Sequence, residues 1–231
     1  MRKKGIVVLL VVLGFCLISN ISFVKQIWMA TVGHGRMETE PVVVIDAGHG
    51  GMDPGKIGVN QVLEKDVNLQ IAKRVRTLLE QNDVRVVMVR EDDNGLYDES
   101  ASNKKVQDMK RRMEVIENSN AILAVSIHQN SYGEEYVCGP QVFYYTTSEK
   151  GKNAASLLQK QLVEGLEPES KRAVKANNSY YLLKKSTIPT IIVECGFLSN
   201  YTEAEKLRTE VYQEQMAFQI TMGILKYLNQ G

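Results

Sequence analysis

Cysteine is scarce in this 231-residue sequence: Cys16, Cys138 and Cys195 are all it has. An odd, sparse count argues against a disulfide framework, and the lack of any C-x-x-C pair excludes a cysteine zinc ribbon. Histidine is equally rare, at His34, His49 and His128. An excess of either charge is missing too. Lys and Arg number 28 against 27 Asp and Glu, a net charge of +1. That balance removes the general electrostatic reason to bind nucleic acid. The GHGG at residues 48–51 lacks the Lys-Ser/Thr that would make it a P-loop. What remains is an ordinary globular composition, 44% hydrophobic and 24% charged, long enough for one domain and an N-terminal appendage.

The first residues differ from the rest. Arg2, Lys3 and Lys4 precede an uncharged, almost wholly apolar run from Gly5 to Ser19, and apolar character continues to Val24. The run approaches the roughly 20 residues that span a bilayer, and no clear A-x-A site follows it. Residues 1–24 therefore read as a signal or membrane anchor, the uncleaved anchor being favoured. The basic flank keeps the cytoplasmic side, so the remainder is expected to be exported. Residues 25–41 read as a linker that holds His34, and 42–231 as the folded domain.

From Val42 onward, β-branched runs alternate with amphipathic segments. Val42–Ile45, Val84–Val89, Ala121–Ile127, Gln141–Tyr145 and Ile188–Val193 read as strands. Val67, Ile71, Val75 and Leu79 repeat at helical spacing. Lys104–Asn118, Ala154–Leu166 and Glu203–Leu228 read as further helices. The alternation predicts an α/β fold, a single domain with a mixed, mostly parallel sheet flanked by helices on both faces. Such folds carry their sites at the carboxyl ends of strands.

Chemistry-bearing residues fall at those ends. His49 follows the first strand in IDAGHGG, His128 the third in AVSIHQN, and Glu194 the late strand in IIVECGF. Glu64 precedes the first helix in VLEKDVNL. Two imidazoles and one carboxylate make a catalytic zinc set whose fourth position is left for water. His49, Glu64 and His128 are assigned as metal ligands for Zn2+, and Glu194 as the group that moves protons. Asp46 is expected to hydrogen-bond a ligand histidine. Ordinary duties compete for each residue. A lone histidine after a strand is commonly structural, Glu64 could simply favour a helix start, and Cys195 with a histidine could mark a thiol hydrolase. Alternation, however, turns Cys195 away from Glu194.

Five segments, VVVIDAGHGGMDPG, EKDVNL, MVRED, AVSIHQNS and PTIIVECGFLSN, run in order through the domain. Together they resemble the zinc-dependent N-acetylmuramoyl-L-alanine amidases of the amidase-3 family. The resemblance implies metal ligands at His49, Glu64 and His128, a catalytic glutamate at Glu194, and peptidoglycan as substrate. The bond cut would be the amide between N-acetylmuramic acid and L-alanine. The compact domain, the N-terminal anchor and SIHQNSY together look closest to the spore-cortex branch, the germination-specific amidases, whose members prepare muramic-δ-lactam by removing the stem peptide. That implies a downstream peptidoglycan deacetylase, an activator protein, and a location outside the cytoplasm, in the wall or the forespore intermembrane space. Gln129 departs from the small residue usual after the second histidine, and Gly95–Val106 is longer and more polar than usual. Arg90 and Arg112 read equally as contacts to stem-peptide carboxylates or as structural ion pairs. A zinc peptidase acting on the stem peptide and a non-catalytic wall-binding scaffold are the alternatives.

Overall fold

The computed structural model describes residues 40–167 and 169–230. The apolar N-terminal run, the boundary at residue 24, Cys16, His34 and nearly all of the linker lie outside the described residues. In chain order the elements are β1 (Val42–Ala47), α1 (Glu64–Glu80), β2 (Arg85–Met88), α2 (Lys104–Asn118), β3 (Leu123–Asn130), β4 (Gln141–Tyr145), α3 (Glu149–Leu166), β5 (Lys175–Asn177), α4 (Tyr181–Lys185), β6 (Thr190–Phe197), α5 (Tyr201–Leu207) and α6 (Glu210–Leu228). The strands make one sheet in the order β2-β1-β3-β6-β4-β5. The first four run parallel, β4 is antiparallel to β6, and β5 is parallel to β4. The expectation of a mixed, mostly parallel α/β sheet is met.

Both faces of the central strands are buried, as parallel sheets require. Val43 and Ile45 of β1, Val125 and Ile127 of β3, and Ile191 and Val193 of β6 join one core with side chains of α1, α3, α5 and α6. The intervening Val44 and Ala124 face the other way, with Ile116 of α2 and Leu182 of α4. The stripe Val67, Ile71, Val75 and Leu79 seats α1 on the first face. Each such side chain, fully buried, stabilises the fold by roughly 1.5–3 kcal/mol. Gly223 of α6 lets that helix approach α3, since a Cβ there would stand 2.9 Å from the Leu158 Cα.

Several boundaries differ from the sequence reading, and the larger shifts have physical reasons. The helix expected over 203–228 breaks in two, because the Thr209 hydroxyl accepts from the Tyr212 amide and caps α6. Strands β3 and β6 run on to Asn130 and Phe197, because their parallel ladder continues to the Asn130–Phe197 pair. His128 and Glu194 consequently sit inside strands, cross-strand neighbours in the sheet. Helix α3 starts earlier, at Glu149, where the Ser148 hydroxyl accepts from the Gly151 amide. Strand β5 and helix α4 are three and five residues long, too short to imprint a period on the sequence.

Candidate active site

The first turn after β1 leaves the sheet sharply. His49 takes a left-handed backbone, φ 63°, followed by Gly50 at 134° and Gly51 at 58°. A non-glycine residue there costs roughly 1–3 kcal/mol and persists only where its surroundings enforce it. Here Arg112 enforces it. That guanidinium is 2% exposed and donates to the His49 carbonyl at 2.5 Å and the Ala47 carbonyl at 2.9 Å. Arg112 also pairs with Asp46 at 2.6 Å and Asp108 at 2.5 Å.

Glu64 is the first residue of α1 and is buried. Its Oε1 lies 3.2 Å from His49 Nε2 and 3.0 Å from His128 Nδ1. The backbone amides of Gln129 and Lys56 donate to its two oxygens at 3.1 and 2.7 Å. Burial alone would raise the Glu64 carboxyl. The hydrogen bonds and charges of the two histidines outweigh it and hold the group far below the usual carboxylate range. His49 moves the opposite way. Burial lowers it, but Glu64 and Asp53 hold it above its ordinary value. One ligand atom each from His49, Glu64 and His128 lies within 4.8 Å of the others. Asp53 Oδ2 accepts from His49 Nδ1 at 3.0 Å, so Nε2 is the ring nitrogen turned toward Glu64 and the cluster. Gly48 gives His128 its room, since a Cβ there would fall 2.1 Å from the ring. Two imidazoles and a carboxylate at such spacing, braced from behind, suit a divalent ion of the zinc type.

The cluster opens on a cleft of about 670 Å³ whose wall includes His49, His128, Glu194, Tyr180 and Lys105. Glu194 is 8% exposed, and its Oε2 has no hydrogen-bond partner among the described residues. Burial pushes its carboxyl up to about 7, against the pull of His128. A carboxyl in that range suits proton transfer near neutral pH. Burial and the nearby Glu194 charge both raise the Tyr180 phenol, which keeps its O–H at neutral pH.

The structure thus brings His49, Glu64 and His128 together and sets Glu194 on the same cleft. It does not bear out the expected role of Asp46. That carboxylate meets Arg112 and the Ser126 hydroxyl, the latter at 2.6 Å, and touches no histidine. Asp46 points from mid-strand toward α2, whereas His49 has already left the sheet. Asp53 does the bracing instead. Arg90 and Arg112 both serve the framework. Arg90 is buried and donates to the carbonyls of Ala47, Gly48, Lys65 and Asp92. Cys195 points into the opposite core, where burial raises its thiol far above the usual range, so it is no nucleophile. Asn68 went unread. Its amide donates to the Gly48 carbonyl at 3.0 Å and accepts from Gln129 Nε2 at 3.1 Å. Its position four residues after Glu64, on the same helix face, was the available signal. Gln129 fills its unusual position by steadying Asn68 and, through its amide, Glu64.

A family model described as N-acetylmuramoyl-L-alanine amidase matches residues 43–226. The germination-specific N-acetylmuramoyl-L-alanine amidase of Bacillus subtilis is 37% identical over 192 residues, 82% of this chain and 80% of that protein. The CwlD amidase of Clostridioides difficile, solved in complex with the GerS lipoprotein, superposes with a TM-score of 0.81 at 38% identity. That match covers 83% of this chain and 100% of the other. AmiC2, an N-acetylmuramoyl-L-alanine amidase of Nostoc punctiforme, gives a TM-score of 0.72 at 36% identity, covering 81% and 97%.

Proposed function

The chain belongs to the N-acetylmuramoyl-L-alanine amidase family, whose members act on peptidoglycan, and from that premise we propose that it works as a zinc enzyme of the spore cortex. His49, Glu64 and His128 hold the ion, and Glu194 handles the protons. The observation that carries this reading is the convergence of three ligand atoms within 4.8 Å, beside a buried carboxylate oxygen that has no partner. Bound there, zinc supplies Lewis-acid chemistry, polarising a carbonyl and acidifying water.

The chain's own residues divide the remaining work. Asp53 fixes the His49 tautomer, and Lys56, Asn68 and Gln129 steady the Glu64 carboxylate. Glu194 accepts a proton from the attacking water and delivers it to the amine that leaves with L-alanine. Tyr180 lends an O–H donor to the cleft wall.

The cortex assignment draws on the germination-specific relative and on the CwlD likeness. In this reading the enzyme strips stem peptides so that a deacetylase completes muramic-δ-lactam. The GerS complex supports a partner of lipoprotein type for this chain as well. The basic and apolar N-terminal run supports export with a retained membrane anchor.

Digesting purified peptidoglycan with the full-length protein and weighing the products by mass spectrometry tests the reaction. Free lactyl groups on muramic acid and intact stem peptides beginning with L-alanine are expected. Trimmed peptides still attached to the glycan would point to a peptidase instead. Chelation is expected to stop the reaction and added zinc to restore it.

A further inference from the structure

Stem peptides carry carboxylates, so a cleft that admits them has to answer negative charge on the leaving side. Three cationic residues line it: Lys104, Lys105 and Arg112. Arg112 is committed to two aspartates and two carbonyls inside the fold. Lys104 Nζ stands 2.5 Å from Glu99 and lies over the Tyr97 ring, 5.3 Å from its centre. Lys105 is different. Its side chain is 74% exposed, and its ion partner among the described residues is Asp53, at 3.4 Å. The oxygen it meets, Asp53 Oδ2, is the one already engaged by His49 Nδ1 at 3.0 Å. Two short steps therefore connect the Lys105 ammonium to a ring of the metal cluster. The pairing is long, solvent-exposed and shared, so it holds Lys105 weakly.

From this geometry we propose that Lys105 is a specificity-determining residue that receives the free carboxylate of the acidic residue following L-alanine in the stem peptide. The proposal rests on the amidase reading and names the group that the enzyme recognises on the leaving peptide. Reach agrees with it. Successive Cα atoms are about 3.8 Å apart, so that carboxylate stays within a few such steps of the scissile amide, and Lys105 lines the same cleft as His49, His128 and Glu194. The first turn of α2 carries no acidic residue, so an incoming carboxylate meets the positive end of that helix as well as the ammonium.

The test uses full-length wild type, Lys105→Met and Lys105→Arg. Each acts on two muropeptides that differ only in whether that carboxylate is free or amidated. Wild type is expected to prefer the free acid by about tenfold in kcat/KM, mainly through KM. Lys105→Met is expected to treat the two alike, and Lys105→Arg to keep the preference. Added salt is expected to shrink the preference, because the pair is exposed. A wild type that is active without preference overturns the proposal, as does a Lys105→Met protein that slows both substrates equally. A wild type inert towards both overturns the amidase reading and this proposal with it. Zinc content measured on each variant separates lost recognition from a disturbed Asp53–His49 pair.

Discussion

Glu194 places its chemistry at odds with folding. A carboxylate with one oxygen sealed from water resists ionising, and ionised is the form a proton acceptor needs. Its folded pKa of about 7 stands above the ordinary 4.5. The folded chain therefore binds more protons than the unfolded chain between those values. The stability contribution is complete below about pH 4.5 and is lost as pH rises through about 7. Glu194→Gln removes that loss. In chelator-treated protein the variant is expected to exceed wild type by on the order of a few kcal/mol above pH 7, and to match it below pH 4.5. Urea unfolding at several pH values measures this. The same variant, reloaded with zinc, is expected to bind metal in full while kcat drops roughly 10²–10⁴-fold. Full activity in that protein would remove Glu194 from the mechanism. Gly48→Ala tests the cradle itself. Its methyl group would occupy the place of the His128 ring, so zinc stoichiometry is expected to fall while the circular dichroism of the fold is retained.

At the scale of elements, α2 is bound to β1 by one buried ion pair. Burial would raise Asp46, but the charge of Arg112 and the Ser126 hydroxyl hold it below the usual range. Its contribution is therefore present above pH 3.8 and is lost as pH falls through the folded value. Arg112→Met leaves Asp46 charged and unpaired, which is expected to cost roughly 3–5 kcal/mol in denaturant unfolding at pH 7. Thr209→Ala removes the cap of α6 at about 1 kcal/mol, read as a modest drop in Tm. These elements also explain what the sequence disclosed. The central strands were legible because runs such as VVVI and PTIIV bury both faces, and α1 because its stripe from Val67 to Leu79 keeps a helical period along most of the helix. The candidate ligands were legible because each stands beside such a pattern. Asp53 was not, since an aspartate before Pro54 reads as turn punctuation until the fold folds it back on His49. Asp46 was assigned the wrong partner because nearness along the chain conceals which face of the sheet a side chain takes. Tyr180 stands between β5 and α4, which carry no period at all, and its place on the cleft wall follows from tertiary packing alone.

Taken as one body, the described domain has a braced cluster at the carboxyl edge of a sheet that is packed on both faces. An ion that binds only the native state adds RT ln(1 + [L]/Kd) to stability. Chelation is therefore expected to lower Tm as well as abolish activity, and zinc to restore both in parallel. Differential scanning calorimetry beside the activity assay checks the two together. The unusual backbone of His49 is clamped by Arg112 from inside the fold, and Asp53 steers its ring from the outside. Both holds are made by the chain's own side chains, so folding itself decides which way this imidazole looks. Whatever the ring is aimed at, the aim is inherited from α2 and from the loop after β1, and a change in either would be felt at the cleft.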